Sequence, residues 1–165
     1  MPWVSAKDVT SSNGTFVLIT EKTITQKGIE KSNAKLLPKF TTVVTVRGTV
    51  GNVCILFQKM AINQTNYGLK SKSDYGDFFL FLTILNLIQD MKQNAYGTVF
   101  DTITTKTFKQ IKIILPLRSV IESFENIINN IMGKVLFNLE ESENIGSVRD
   151  ALLPKLMSGK IRVEC

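Results

Sequence analysis

The side chains of this sequence that are equipped for chemistry are amides, hydroxyls and cations rather than acids, bases and thiols. Histidine is absent, which removes the commonest general base, the usual member of a nucleophilic triad and the commonest zinc ligand. Cys54 lies inside an apolar run and Cys165 at the last position, so both are expected as free thiols rather than a disulfide framework. No GxxxxGK[ST] loop, Gly-rich strand-to-helix turn or acidic cation-binding loop occurs. Asp74 and Asp77, in Ser73-Asp74-Tyr75-Gly76-Asp77, come nearest to paired carboxylates. A carboxylate there has an immediate structural use, capping the helix that follows. No catalytic residue, metal site or cofactor is therefore expected.

The remaining polar side chains are hydrogen-bond donors, which hold turns in any domain and serve recognition where the partner is a polyanion. Arg47 stands directly before Gly48 in a turn-forming stretch. It can meet guanine O6 and N7 bidentately, or it is a surface arginine pinned by a hairpin. Thr49, Asn63 and Gln64 can donate to bases or phosphates, although Thr and Asn in turns ordinarily bond to backbone. Lys7, Lys70, Lys72 and Lys106, with Lys22, Lys27, Lys92 and Lys109, are candidates for a phosphate-tracking face, the alternative being plain solvated lysines. Asn63-Gln64-Thr65 also fits a glycosylation sequon, set aside because no signal peptide is recognised at the N-terminus and a cytoplasmic location is expected.

The elements that must position these groups follow from periodicity. Phe16–Ile19, Thr41–Val46 and Val53–Phe57 are β-branched or aromatic runs bounded by turn formers, and read as strands. Gly48 and Gly51, between the last two runs, are available for positive φ, so a β-hairpin is expected there. Asp77–Asn94 changes period: Phe78, Phe79, Leu82, Leu85, Ile88 and Met91 recur at spacings of three and four, predicting a helix with a broad buried face that Gly97 ends. Phe108–Leu115 then reads as an apolar strand closed by Pro116. From Ile121 onward, Phe124, Ile128, Ile131, Val135, Ile145, Leu152 and Leu156 form a heptad-like seam. A helix from about Ser119 to Met157 would be about 58 Å long. Its soft points are Gly133 and Gly146, and Pro154 should end or kink its last turns. A seam this long calls for a partner.

Charge divides the chain in the same place. Residues 1–118 hold 15 Lys and Arg against 7 Asp and Glu, and residues 119–165 hold 5 against 7, so the two parts carry +8 and −2 of the total +6. The positive field belongs to the first part alone, as expected of a polyanion binder. With 44% apolar and 21% charged residues, the chain has the composition of a folded domain and not of a disordered one. Its apolar runs fall far short of the 18 or more residues that cross a bilayer, so no membrane association is expected.

Four stretches taken together resemble one family. Ser147-Val148-Arg149-Asp150-Ala151-Leu152-Leu153-Pro154-Lys155-Leu156-Met157-Ser158-Gly159-Lys160 resembles the distal repeat of type I restriction–modification specificity subunits, where a long helix runs into an Arg-Asp-x-Leu-Leu-Pro-Lys-Leu-Met-Ser-Gly terminus. Tyr96–Ile103 with Phe108–Pro116 resembles the end of that family's target recognition domain. Val46-Arg47-Gly48-Thr49-Val50-Gly51 with Ile62-Asn63-Gln64 resembles its central strands. Pro2-Trp3-Val4-Ser5-Ala6-Lys7-Asp8 resembles its early Pro-Trp-x-x-x-x-Asp stretch, where Trp3 is expected to pack inward. About two dozen residues that usually precede that stretch, and the first strand they supply, are missing. The Glu-Gln junction before the helix is replaced by Leu115-Pro116-Leu117-Arg118.

The resemblance implies an α+β protein: a β-rich target recognition domain over residues 1–117, then a long helix and tail over 118–165 that forms an antiparallel coiled coil with a partner. It implies a half-subunit, whether natural, a truncated gene or a fragment. Such a chain would read half of a bipartite site in double-stranded DNA and dock methyltransferase and restriction subunits. It would pair as a homodimer through Phe124, Ile128, Ile131, Val135, Ile145, Leu152 and Leu156. Asn138, Ser142 and Arg149 on the seam would then select register. The alternative is a helix-mediated protein-binding adaptor with no DNA role.

Overall fold

The computed structural model describes residues 1–12, 15–72, 75–94 and 103–162. Residues 95–102, where Gly97 is expected to stop a helix, and Asp74, Asp101 and Cys165 lie outside the described residues. So does the side chain of Lys92. The chain divides into two compact units, Met1–Ile127 and Ile128–Cys165.

The first unit is built on two four-stranded sheets. One has the order β3-β1-β7-β4, from β1 (Pro2–Val4), β3 (Lys22–Thr23), β4 (Lys35–Leu37) and β7 (Met60–Ile62). The other has the order β2-β6-β5-β8, from β2 (Phe16–Val17), β5 (Thr42–Thr45), β6 (Val53–Leu56) and β8 (Asn66–Leu69). Both are mixed: β1 runs parallel to β7 and β2 parallel to β6, and the remaining pairs are antiparallel. Strands β5, β6 and β7 are buried at every position. Val4, Val9, Val17, Val43, Cys54, Leu56, Met60 and Ile62 form one core cluster. Burial pushes the Cys54 thiol up to about 12, which makes it a core side chain and not a nucleophile.

The hairpin between β5 and β6 forms where expected, with Gly48 and Gly51 at φ +80° and +78°. Thr45 holds the turn closed. Its hydroxyl donates to the carbonyl of Thr49 and accepts from Asn52 N at 2.9 Å, while its carbonyl accepts from Gly51 N at 2.8 Å.

Helix α1 (Ala6–Ser11) starts at a capping box in which Ser5 and Asp8 satisfy each other's backbone donors. Asp8 also reaches out of its helix, its Oδ1 accepting from Glu21 N at 2.9 Å, and so ties α1 to the segment leading into β3. Burial alone would push the Asp8 carboxyl up, but hydrogen bonds from the Ser5 side chain, Glu21 N and Ser5 N prevail and hold it below its usual value. The Pro-Trp-x-x-x-x-Asp stretch is thus a structural device. Trp3 is half-buried in β1, between Lys22 and Ala61 of the flanking strands.

Helix α2 (Gln26–Glu30) is capped by Thr25. Helix α3 (Asp77–Asn94) starts at the predicted residue and buries Phe78, Phe81, Ile84 and Ile88, while Phe79, Leu82, Leu85 and Met91 of the predicted face are half-buried. Phe78 meets the rings of Phe16 and Phe40 at 6.4 and 5.4 Å. Of the two carboxylates expected to serve its start, Asp74 lies outside the described residues. Asp77 is the first helical residue and pairs with Lys70 at 2.5 Å, and the acceptor for Phe79 N is Glu125 Oε1 at 2.6 Å.

The strand expected over Phe108–Leu115 is not formed. Thr104 and Thr107 make a reciprocal cap that starts helix α4 (Thr105–Gln110), and Phe108 lies within it. Residues 111–117 pair with no sheet, and Ile113, Ile114, Leu115 and Leu117 are exposed. An apolar run makes a strand only where an edge is free to receive it, and a local cap here commits its first residues to a helix.

Helix α5 (Arg118–Met157) runs one residue earlier than predicted and three residues past Pro154. Its stop is a Schellman motif: Lys160 N donates to Lys155 O at 3.0 Å, Gly159 N donates to Leu156 O at 3.1 Å, and Gly159 has φ +69°. The Pro-Lys-Leu-Met-Ser-Gly-Lys run therefore encodes the end of the helix. Glycine is used at 159 because that φ strains any other L-residue.

Candidate nucleic-acid interface

Two turns and a strand edge meet in the first unit. Asn63–Asn66 is a β-turn closed by Asn66 N donating to Asn63 O at 3.2 Å. The Asn63 side-chain oxygen accepts from Thr65 N at 3.1 Å, Thr65 Oγ1 at 2.5 Å and Asn66 Nδ2 at 3.1 Å. That oxygen is spent on the turn, and Gln64 is left exposed at the turn's second position. The neighbouring turn is fastened to this one by Val46 N, which donates to Thr65 O at 2.9 Å. Val46 O accepts in turn from Ile103 N at 3.4 Å. Val46 is 2% exposed, so the exposed Arg47 that follows it projects from a fixed backbone.

Between these turns and β4 lies a groove of about 730 Å³, lined among others by Asn33, Lys35, Arg47, Asn63, Gln64 and Tyr67. The described residues that line it include two cations and no carboxylate. Asn66, 3% exposed, also lines it, and its side-chain oxygen has no hydrogen-bond partner among the described residues. The Tyr67 ring stands edge-on to Phe108 at 5.9 Å, which sets α4, with Lys106 and Lys109 beside Phe108, against the same strand β8.

Of the residues singled out in the sequence, Arg47, Asn63 and Gln64 line this groove and Lys106 lies on the helix packed beside Tyr67. The others are elsewhere. Thr49 Oγ1 bonds to Thr10 Oγ1 at 2.8 Å, joining the β5–β6 turn to α1. Lys7 pairs with Glu21 at 2.7 Å, a contact that raises the lysine and lowers the glutamate from their ordinary values. Lys70 is held between Asp77 and the carbonyl of Lys39, and Lys72 is exposed. Asn33 and Lys35 went unnoticed in the sequence. The run Lys35-Leu36-Leu37 before Pro38, read as a short edge strand, would have drawn attention to Lys35 as its charged residue.

The seam residues also differ among themselves. Phe124 stands edge-on to Phe79 at 6.2 Å and helps line an apolar cavity of about 390 Å³ with Leu82, Pro116, Val120 and Ile121. Ile128 and Val135 are half-buried. Ile131, Ile145, Leu152 and Leu156 are exposed, as are Ile127, Phe137, Val148 and Met157 on the same helix. Among the described residues no group of three or more His, Cys, Asp or Glu is placed to hold a metal ion. No helix among them is long and apolar enough to cross a membrane.

Comparison with known proteins gives this arrangement a family. Residues 1–145 match the model of the type I restriction modification DNA specificity domain. The chain is 27% identical over 164 residues to the type I restriction enzyme HindI specificity subunit of Haemophilus influenzae, covering 98% of this chain and 35% of that protein. It is 25% identical over 147 residues to the type I restriction enzyme MjaIX specificity subunit of Methanocaldococcus jannaschii, covering 89% and 31%. The crystal structure of the HsdS subunit from Thermoanaerobacter tengcongensis matches with a TM-score of 0.46 at 16% identity, over 77% of this chain and 32% of that one. The chain thus spans about a third of the length of the curated relatives it matches. With the family model covering residues 1–145 of 165, the chain belongs to the type I restriction modification DNA specificity domain family.

Proposed function

We propose that this chain is a sequence-recognition module for double-stranded DNA, with residues 1–117 as the target recognition domain and residues 118–165 as the helix that assembles and spaces such domains. The match to a DNA specificity domain over residues 1–145 carries this reading. The concentration of positive charge in residues 1–118 supports it. In this reading the domain reads one half of a bipartite site, Lys and Arg side chains fix register on phosphates, and base edges are met from the turns. The predicted set is Lys7, Arg47, Thr49, Asn63, Gln64, Lys70, Lys72 and Lys106. The chain supplies recognition and no chemistry, methylation and cleavage falling to modification and restriction subunits that dock on it.

Assembly in this reading is through α5. Its run of exposed apolar side chains is more than a lone helix leaves in water. A second copy laid antiparallel covers that run and sets two identical readers at a fixed separation, so the site is an inverted repeat with an uncontacted gap. Binding of the full chain to duplex DNA, measured between 50 and 200 mM salt, tests the reading. Affinity should fall steeply, each neutralised phosphate contributing about −0.9 to the log–log slope. A flat response, or no binding, overturns it and leaves the adaptor.

A further inference from the structure

Arg47 and Gln64 come from separate turns, and the Val46 N to Thr65 O bond fastens those turns side by side on one wall of the groove. Both are exposed, and neither side chain has a hydrogen-bond or ion-pair partner among the described residues. Their neighbours differ in this respect, since Asn63 spends its oxygen on Thr65 and Asn66 and Thr49 spends its hydroxyl on Thr10. The backbone beneath the pair is anchored. Val46 is held from both sides, and Gly48 beyond Arg47 has open space around it, with nothing within 4 Å of where a Cβ would stand. A planar fork of donors and an amide are thus presented together from rigid supports, in a groove whose described lining residues have Lys35 as the other cation and include no carboxylate to compete.

That combination has a defined chemistry. A guanidinium matches guanine O6 and N7, and a carboxamide matches adenine N6 and N7, each bidentately and each on the major-groove edge. An ammonium such as Lys35 is a point charge suited to phosphate. Resting on the DNA-recognition reading above, we infer that Arg47 and Gln64 are the base-reading pair of this domain, taking a guanine and an adenine in the major groove. Asn63 and Thr49 hold the turns, and Lys35 contacts the flanking phosphate. Asn66, whose buried side-chain oxygen has no partner among the described residues, is the floor on which the Gln64 turn sits.

The test is selection from a random-sequence duplex pool by the full chain, with the bound fraction sequenced, for wild type, Arg47→Lys, Gln64→Ala and Lys35→Ala. The substituted side chains are exposed, and circular dichroism confirms that each variant is folded. The wild-type motif should contain a guanine and an adenine whose preference is lost separately. Arg47→Lys, which keeps the charge, should cut discrimination at the guanine by about tenfold or more, and Gln64→Ala should do the same at the adenine. Lys35→Ala should weaken binding to every sequence alike and lower the salt slope by about 1, with the motif unchanged. If Arg47→Lys and Gln64→Ala return the wild-type motif, the inference fails and DNA recognition stands. If the wild-type chain enriches no sequence, both fail.

Discussion

The two units of this chain use apolar side chains in opposite ways. In Met1–Ile127 the apolar residues are spent inward: β5, β6 and β7 are buried at every position, and the groups left at the surface include a cationic, amide-rich groove between two turns. In Ile128–Cys165 an apolar side chain is more often exposed than not, as at Ile131, Phe137, Ile145, Val148, Leu152, Leu153 and Leu156. The first unit is therefore stable by its own packing and presents polar chemistry. The second has helical structure but an unfilled apolar demand. In the proposed function, reading and assembly are separable for that physical reason.

The same substitution made in both units exposes the difference. Leu56→Ala, at a fully buried position in β6, should cost about 2–5 kcal/mol in a urea unfolding experiment. Leu153→Ala, at a position 50% exposed on α5, should leave unfolding of the dilute chain nearly unchanged and weaken self-association. Equal losses at the two sites would show that α5 packs as part of a single cooperative core.

Asp8 gives the next largest effect. It accepts from Ser5 N, Ser5 Oγ and Glu21 N, so Asp8→Ala strands three donors and should cost about 1.5–3 kcal/mol, the range for hydrogen bonds to a charged group. Because folding lowers this carboxyl, its contribution is complete above its unfolded value, near 3.8, and drains away as pH falls through the folded one. An acid titration of wild type against Asp8→Asn should show the wild-type advantage at neutral pH disappear below about pH 4.

Glu125 has the opposite sign. Burial raises its carboxyl, opposed in part by the amide of Phe79 and reinforced by the charge of Asp77. The folded state therefore favours its protonated form, and its contribution to stability declines as pH rises through the raised value. Glu125→Gln keeps an acceptor for Phe79 N without the charge, and should match or exceed wild type in thermal stability at pH 7, whereas Glu125→Ala should fall below both. Smallest of all, Gly133→Ala and Gly146→Ala meet nothing within 4 Å and should each raise stability by up to about 1 kcal/mol. Loss of self-association in either variant would mean that a partner backbone approaches closely at that glycine.

How legible the molecule was in its sequence depended on whether the deciding interactions were local. The start of helix α3 was readable to the residue and that of α5 to within one, because a 3.6 period over many turns is a property of the segment itself. The β5–β6 hairpin was readable from Gly48 and Gly51 for the same reason. The parallel pairings of β1 with β7 and β2 with β6 were not, since strands of two or three residues carry no periodicity and their partners lie far along the chain. Phe108–Leu115 misled because apolarity alone cannot tell a strand from an unpaired segment; the Thr104–Thr107 cap was the local clue passed over. At the groove, Arg47 was visible through its flanking glycine, but which of Asn63 and Gln64 remains free depends on the Asn63–Asn66 turn, a geometric fact.

The division of labour between the units is tested most directly by comparing the duplex sequences selected by wild type and by the double variant Ile131→Asp, Ile145→Asp, whose side chains are 50% and 62% exposed. Wild type should recover an inverted repeat with one fixed gap, and the variant should run as a monomer and recover a single copy of the same half-site. A variant that still recovers the spaced repeat, or a wild type that recovers only an unpaired motif, would contradict the account.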